Sequence, residues 1–386
     1  MKPTQPLPLS LYIHFPWCLK KCPYCDFNSH EFTGELPEQN YINALLTDLE
    51  QDINFFKESR PIESIFMGGG TPSLFSPDAI HSLLTNIKKL IPVNATAEIT
   101  LEANPSTFEN QKFSEFKNAG INRLSIGIQS FNDSLLRNLG RTHNSQMAMN
   151  AGAIAHSAGF NNFNLDLMFG LPEGSLKTSL YDIKTAISLQ PSHISFYQLT
   201  LEPNTYFHKF PPTLPPDDDI FHTQTICQQH LSEHHFQQYE ISAYAQLNKQ
   251  CQHNLNYWTF GDYLGIGAGA HGKISQQTPD TLYRYWKLKN PQHYLNAADS
   301  DKRMGNCTTV ATPELPLEYL MNQLRLTQGF HLSDYQNKTG LPSSSLYPAL
   351  QQCIDLELLT LNQNHVRCTP QGWNFIDRIL EQFFVD

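Results

Sequence analysis

The sequence predicts an α/β chain: an incomplete parallel (β/α)6 barrel followed by a smaller, mainly helical C-terminal domain. Three observations carry that reading. Short apolar runs alternate with longer amphipathic ones through about six units between residues 11 and 199, and such alternation builds a parallel sheet with helical crossovers. Three of the strand segments are polar along one face, whereas a parallel strand covered on both sides is apolar throughout. In the last part of the chain the patterns become shorter and helical.

Taken in order, residues 11–15 read as a strand and 38–56 as a helix with Tyr41, Ala44, Leu45, Leu49 and Ile53 at helical spacing. Segments 64–67, 98–102, 124–129, 164–169 and 193–199 read as further strands. Segments 76–90, 113–119, 133–139, 147–158 and 176–189 read as the helices between them. Side chains alternate across a strand, so Glu98, Thr100 and Glu102 oppose Ile99 and Leu101. Ser125, Gly127 and Gln129 oppose Leu124, Ile126 and Ile128 in the same way, and Asn164 and Asp166 oppose Leu165 and Leu167. These polar faces are expected to line a ligand cavity; the competing reading is a sheet with one wetted face. Pro211, Pro212, Pro215 and Pro216 mark a loop before a helix at 220–235. Residues 263–273 carry Gly265, Gly267, Gly269 and Gly272 and read as a glycine-spaced strand or turn, with helical patterns at 316–327 and 344–356 beyond. The expected units are 1–205 (partial barrel), 206–290 (barrel extension and connecting segment) and 291–386 (C-terminal domain).

Composition narrows the function. The chain has 386 residues, 40% hydrophobic and 16% charged, which supports a large core and excludes a disordered chain. With 26 basic and 36 acidic residues the net charge is −10, and no basic stripe points to nucleic acid. No run of ~18 apolar residues is present, so no membrane span is expected. Pro3, Pro6, Pro8 and His14 interrupt the start, which does not read as a signal peptide, and a cytoplasmic location is expected. Eight cysteines in a chain this long do not form a disulfide scaffold. Cys227, Cys251, Cys307, Cys353 and Cys368 are scattered and read as packing residues, whereas Cys18, Cys22 and Cys25 sit together.

That group has the spacing C-x3-C-x2-C directly after the first strand. Three thiolates on a short loop can hold three irons of a cubane 4Fe–4S cluster and leave the fourth iron open to an exchangeable ligand. A structural zinc would need a fourth donor, for which His14 or His30 is available. Cys22-Pro23-Tyr24-Cys25 is also a dithiol redox motif, with Lys20 and Lys21 favouring thiolate, although Cys18 then has no role. Met67-Gly68-Gly69-Gly70-Thr71-Pro72 closes the second strand, and consecutive glycines let backbone approach a ligand closely. Glu102 and Gln129 end the third and fourth strands, Asp166 lies in the fifth, and Arg141 follows the fourth. Parallel barrels place their sites at those strand ends.

The cysteine spacing near the start of a parallel α/β barrel resembles the radical S-adenosylmethionine (SAM) superfamily. The strings Tyr12-Ile13-His14-Phe15-Pro16-Trp17-Cys18, Gly68-Gly69-Gly70-Thr71-Pro72, Arg123-Leu124-Ser125-Ile126-Gly127-Ile128-Gln129-Ser130-Phe131 and Asn164-Leu165-Asp166-Leu167-Met168-Phe169-Gly170-Leu171-Pro172 are similar to the oxygen-independent coproporphyrinogen dehydrogenase group. That group divides into the true dehydrogenase and the HemW heme-chaperone branch. Phe27 stands where the dehydrogenase has a fourth cysteine, and only seventeen residues precede Cys18, where the dehydrogenase has a longer segment. His253-Asn254-Leu255-Asn256-Tyr257-Trp258 resembles the H-N-x-x-Y-W segment associated with heme in the chaperone branch.

The resemblance implies the following roles. Cys18, Cys22 and Cys25 ligate a 4Fe–4S cluster. Tyr12, Gly70, Thr71, Glu102, Gln129, Arg141 and Asp166 contact SAM. His253, Tyr257 and Trp258 meet heme, with imidazole suited to iron and the rings to the macrocycle; an ordinary loop with a surface histidine is the competing reading, and His271 is a second candidate ligand. The implied function is a heme chaperone that delivers heme to acceptor hemoproteins, membrane-associated respiratory enzymes among them. It is a carrier with no catalytic residue assigned and a homodimer as the expected assembly. The alternative is the coproporphyrinogen III dehydrogenase, which oxidatively decarboxylates its substrate by radical chemistry.

Overall fold

The computed structural model describes residues 6–106, 111–277 and 280–384; the first five residues of the start that does not read as a signal peptide lie outside this range. The six expected strands are present as β1 (Leu9–Phe15), β2 (Ile62–Gly69), β3 (Val93–Ala103), β4 (Arg123–Gln129), β5 (Phe163–Phe169) and β6 (His193–Gln198). The helices between them are α1 (Glu38–Phe56), α2 (Pro77–Leu90), α3 (Phe113–Ala119), α4 (Asp133–Asn138), α5 (Ser145–Ser157) and α6 (Leu176–Ser188). Local chemistry fixes the helix starts. Ser76 caps α2 by accepting the Ala79 N–H at 3.2 Å, Pro77 occupies the first turn, and the Ser76 hydroxyl donates to Glu38 at the start of α1 at 2.6 Å.

The sheet is larger than the six-unit pattern indicates. Beyond α7 (Asp217–Glu233) come β7 (Gln237–Glu240), β8 (Ala243–Ala245), α8 (Gln252–Trp258), β9 (Asp262–Ile266), β10 (His271–Gln277), β11 (Asp280–Lys287), α9 (Pro291–Asn296) and β12 (Met304–Thr309). One sheet of 12 strands among the described residues runs β12-β11-β10-β9-β1-β2-β3-β4-β5-β6-β8-β7. Its centre, β9 through β6, is parallel, and antiparallel strands extend both sides. The glycine-spaced stretch is therefore two strands, β9 and β10, joined by a turn. Gly267 needs its positive φ of 100°, and a Cβ there would stand 2.4 Å from the His14 carbonyl oxygen.

The core is apolar between sheet and helices, with Leu11, Ile13, Ile65, Leu101, Ile126, Leu165 and Ile194 fully buried. A cluster of buried charges interrupts it beneath α1. Asp48 and Asp52, one turn apart on α1, meet Lys287 and Arg303 with none of the four more than 2% exposed. Lys287 Nζ lies 2.6 Å from both Asp48 Oδ1 and Asp52 Oδ1, and Arg303 reaches the same two atoms at 2.7 and 2.9 Å. Tyr294 donates to Asp48 at 2.6 Å and Tyr285 to Asp52 at 3.1 Å.

Residues up to Thr309 thus pack with the large sheet. A second apolar cluster beyond it gathers Tyr319, Leu320, Tyr335, Leu350, Val366 and Ile379, and takes in Phe260 and Leu282. It is built from α10 (Leu315–Gln323), β13 (Phe330–His331), α11 (Leu332–Thr339), α12 (Ala349–Asp355), β14 (Leu359–Asn362) and β15 (His365–Cys368). The three strands pair as β13-β15-β14, so this unit is helical with a small sheet. The pattern at 344–356 is split: a short 3-10 turn ends at Leu346 and α12 starts after Pro348, whose nitrogen has no hydrogen to donate. Among the described residues no helix is long and apolar enough to cross a membrane.

Lys287→Met removes one cation from the buried quartet and leaves two carboxylates facing Arg303. Breaking such an ion network costs about 3–5 kcal/mol, so the urea midpoint is expected to fall clearly below that of the parent chain. An unchanged midpoint would show that the quartet does not hold the sheet.

Candidate functional site

Over the C-terminal ends of the parallel strands lies a cavity of about 360 Å³. It is lined on one side by Cys18, Cys22, Cys25 and Gly69 to Thr71, and on the other by Glu102, Gln129, Arg141 and Asp166. Of the polar strand faces expected from alternation, Glu102, Ser125, Gly127, Gln129 and Asp166 converge here, Glu98 lies at the opposite end of its strand, and Thr100 and Asn164 are buried. A wider hollow of about 720 Å³ opens at the other end of the strands, between Pro8, Arg60, Glu98 and Gln252. It contains no thiol, and its guanidinium is already tied to Glu58 and Asp262, so the chemistry concentrates in the smaller cavity.

The cysteine loop leaves β1 and returns to the fold through hydrogen bonds. Cys25 N–H donates to Cys22 O at 3.1 Å and Phe32 N–H to Cys18 O at 3.0 Å. Asn28 ties the loop to the far end of the chain: Nδ2 donates to Ala268 O at 2.9 Å and to Lys289 O at 2.8 Å. Each thiol has a polar neighbour. Thr71 donates to Cys18 Sγ at 3.5 Å, Arg141 to Cys22 Sγ at 3.7 Å, and Ser29 Oγ lies 3.7 Å from Cys25 Sγ. Burial pushes the Cys18 thiol up to about 11 and raises that of Cys25; a bound cation would reverse this, since metal-bound thiols are deprotonated.

The donor set fits an iron–sulfur cluster better than a single metal ion. Among the described residues no three His, Cys, Asp or Glu side chains converge on one ion position. His14 cannot be a fourth zinc ligand, because Nε2 donates to Asn28 O at 2.9 Å and Nδ1 accepts from Tyr12 at 3.0 Å. His30 faces Asn28 Oδ1 at 3.2 Å. Three separated thiols suit a cubane, in which each thiolate takes its own iron.

Opposite the thiols the cavity is acidic with one guanidinium. Burial, and next the Asp166 charge, push the Glu102 carboxyl up to about 8, while Glu102 Oε2 accepts the Gly69 N–H at 3.1 Å. Burial also raises Asp166. Arg141 is held by Asn104 Oδ1 at 2.6 Å and Gly127 O at 2.7 Å, and its buried Nε has no partner. Gln129 adopts a positive φ of 67° and accepts from the Tyr197 hydroxyl at 2.7 Å. At Gly70 a Cβ would stand 2.6 Å from Trp17 O, so only glycine lets this backbone pass against the cysteine loop. Tyr197, Ser195 and Asn104 line the cavity and escaped the sequence reading. Alternation along residues 193–199 could have found the first two, since Ser195 pairs with Asp166 across β5 and β6.

The radical SAM superfamily profile matches residues 12–178, and the HemN C-terminal domain profile matches 310–375. The heme chaperone HemW of Haemophilus influenzae is 46% identical over 98% of both chains. HemW of Escherichia coli K12 is 44% identical over 98% of this chain and 99% of its own. The chain belongs to the HemW branch of the radical SAM superfamily. HemW of Bacillus subtilis is 34% identical, covering 94% of this chain and 96% of its own. The solved structure of coproporphyrinogen III oxidase (HemN) from Escherichia coli superposes with a TM-score of 0.82 at 20% identity, over 98% of this chain and 90% of that one.

Two of the residues that the HemW resemblance assigns lie outside the lining of the thiol cavity. Tyr12 does not line the cavity: its ring stacks on Phe66 and its hydroxyl serves His14, one layer below. His253 is 1% exposed and lies among the starts of the strands, not at the thiols. Nδ1 faces Ser64 Oγ at 3.0 Å and Nε2 faces the Tyr257 hydroxyl at 2.6 Å, so neither nitrogen is free for an iron. Its ring stacks on Phe66, and Trp258 lies under the Arg325 guanidinium. The segment 253–258 is the packed helix α8 rather than a surface loop. His271, by contrast, is exposed beside Trp286.

Glu102 gives a pH signature. The folded, cofactor-free chain holds its proton from the ordinary 4.5 up to about 8, whereas the unfolded chain does not. Stability is therefore expected to fall as pH rises through that window. Glu102→Gln should flatten the slope by up to about 1.4 kcal/mol per pH unit, read by urea unfolding at several pH values. Equal slopes would mean that Glu102 is ionised throughout.

Proposed function

We propose that the chain is a cytoplasmic heme chaperone that holds a 4Fe–4S cluster on Cys18, Cys22 and Cys25, binds SAM beside it, and passes heme to acceptor hemoproteins, including membrane-associated respiratory enzymes. The observation that carries this reading is the trio of thiols at a polar cavity with Phe27, not a fourth cysteine, at its mouth. Phe27 is 55% exposed and Leu19 62%. The relatives named heme chaperones cover nearly the whole chain and support the same reading.

When bound, the cluster supplies one open iron at which the amino and carboxylate groups of SAM can chelate. The chain's residues do the rest. Arg141, its Nε bare, suits the SAM carboxylate as a charge-assisted donor. Glu102 and Asp166, raised by burial, can ionise opposite a cationic ligand, whose charge favours their carboxylate forms, and the Gly69–Gly70 backbone gives close approach. The apolar lip at Leu19 and Phe27 offers a surface that a flat macrocycle can cover, and an open lip suits a ligand that must be released.

Anaerobically prepared protein is expected to contain about four irons per chain, lost in Cys22→Ser. SAM should perturb the EPR signal of the reduced cluster. Asp166→Ala should weaken SAM binding roughly tenfold or more, the worth of a charge-assisted hydrogen bond of about 1.5–3 kcal/mol. Stoichiometric zinc in place of iron would end the cluster reading.

About one heme should bind per chain and move to an apo-hemoprotein, with conversion of coproporphyrinogen absent. His253→Ala should leave the heme spectrum unchanged while lowering stability by about 2–4 kcal/mol, because a buried, hydrogen-bonded ring is removed. Efficient production of protoporphyrinogen would instead restore the dehydrogenase alternative.

A further inference from the structure

Asn104 lies just past the end of β3 and joins two of the three thiols through their hydrogen-bond donors. Its Nδ2 donates to Thr71 Oγ1 at 3.1 Å, and Thr71 donates to Cys18 Sγ at 3.5 Å. Its Oδ1 accepts from Arg141 Nη2 at 2.6 Å, and Arg141 Nη1 donates to Cys22 Sγ at 3.7 Å. A hydroxyl has one hydrogen. With an oxygen lone pair of Thr71 occupied by Asn104, that hydrogen is directed to sulfur. The guanidinium is planar, so fixing Nη2 on Asn104 and on Gly127 O at 2.7 Å fixes where Nη1 points. Cys25 stands apart, with Ser29 as its neighbour at 3.7 Å.

Hydrogen bonds to cluster sulfurs stabilise the extra electron of the reduced state and raise the reduction potential. We propose that Asn104 is a positioning residue that sets the reduction potential of the cluster by aiming Thr71 and Arg141 at Cys18 and Cys22. The proposal rests on the reading that these thiols carry a cluster. It needs no contact between Asn104 and the cluster or SAM.

The test is an EPR-monitored redox titration of the reconstituted full chain, with iron counted in each sample. Asn104→Ala is expected to keep about four irons, since all three thiols remain, and to shift the midpoint to a more negative potential. Asn104→Asp keeps the acceptor for Arg141 but turns the Thr71 hydroxyl away from Cys18, and should shift the midpoint in the same direction. Thr71→Val, added to Asn104→Ala, should shift it by less than it does in the parent chain, because both act through one donor.

A midpoint unchanged in Asn104→Ala, or full additivity with Thr71→Val, overturns the proposal. So does loss of iron from both Asn104 variants, whether they are folded by circular dichroism or not, since Asn104 would then be needed for assembly or for folding. A parent chain that takes up no iron refutes the proposed function instead.

Discussion

Four buried charges clamp one end of the large sheet, the antiparallel extension of β10 to β12, onto helix α1. Asp48 and Asp52 on α1 are matched one for one by Lys287 and Arg303 from the last strands. Removing such groups from water is costly, and only complete pairing and hydrogen bonding offset it. The arrangement therefore tolerates one docking of β9 to β12 against α1 and penalises others. Its effects reach the cysteine loop. Tyr294, bound to Asp48, also donates to no other acid but receives the Gly267 N–H at 3.2 Å, which fixes the β9–β10 turn. Tyr41 receives the Ala268 N–H at 3.0 Å and donates to His14 O at 2.7 Å. Ala268 O then holds Asn28, and Asn28 the cysteine loop.

That chain of contacts explains why residues far beyond the 12–178 stretch matter to a site built mainly within it. The radical SAM strands bring the glycine loop, Glu102, Gln129 and Asp166 to one mouth. The thiols sit on a loop that the antiparallel extension clamps from outside. Two raised carboxyls face this cavity, with Arg141 and Lys20 also in its lining. A bound cation would favour the ionised form of both acids and so oppose the burial that raises them.

The opposite end of the barrel has a different task. His253, Tyr257 and their neighbours close it, with Glu98 accepting the N–H of Gln252 at 2.9 Å at the start of α8. A histidine with both nitrogens engaged and its ring stacked stabilises the fold, and this physical role competes directly with iron ligation. For heme, the exposed apolar lip at Leu19 and Phe27 and the exposed His271 are the more accessible chemistry.

The sequence by itself determined the six strand–helix units, the thiol trio and the polar strand faces. Those features rest on local periodicity and spacing, which need no distant partner. Glu102, Gln129 and Asp166 were legible because alternation along a strand dictates which side chains share a face. The tertiary structure alone decided the rest. Asp48 and Asp52 lie on the same side of α1 as Tyr41 and Leu45, and nothing local shows that two acids belong in a core. Their cations come from residues 239 and 255 positions away from Asp48. Asn104 and Asn28 carry no local signal, and only folding sets their amides between groups from separate crossovers. The burial and hydrogen bonds of His253 and Tyr12 likewise depend on what the completed fold packs around each side chain.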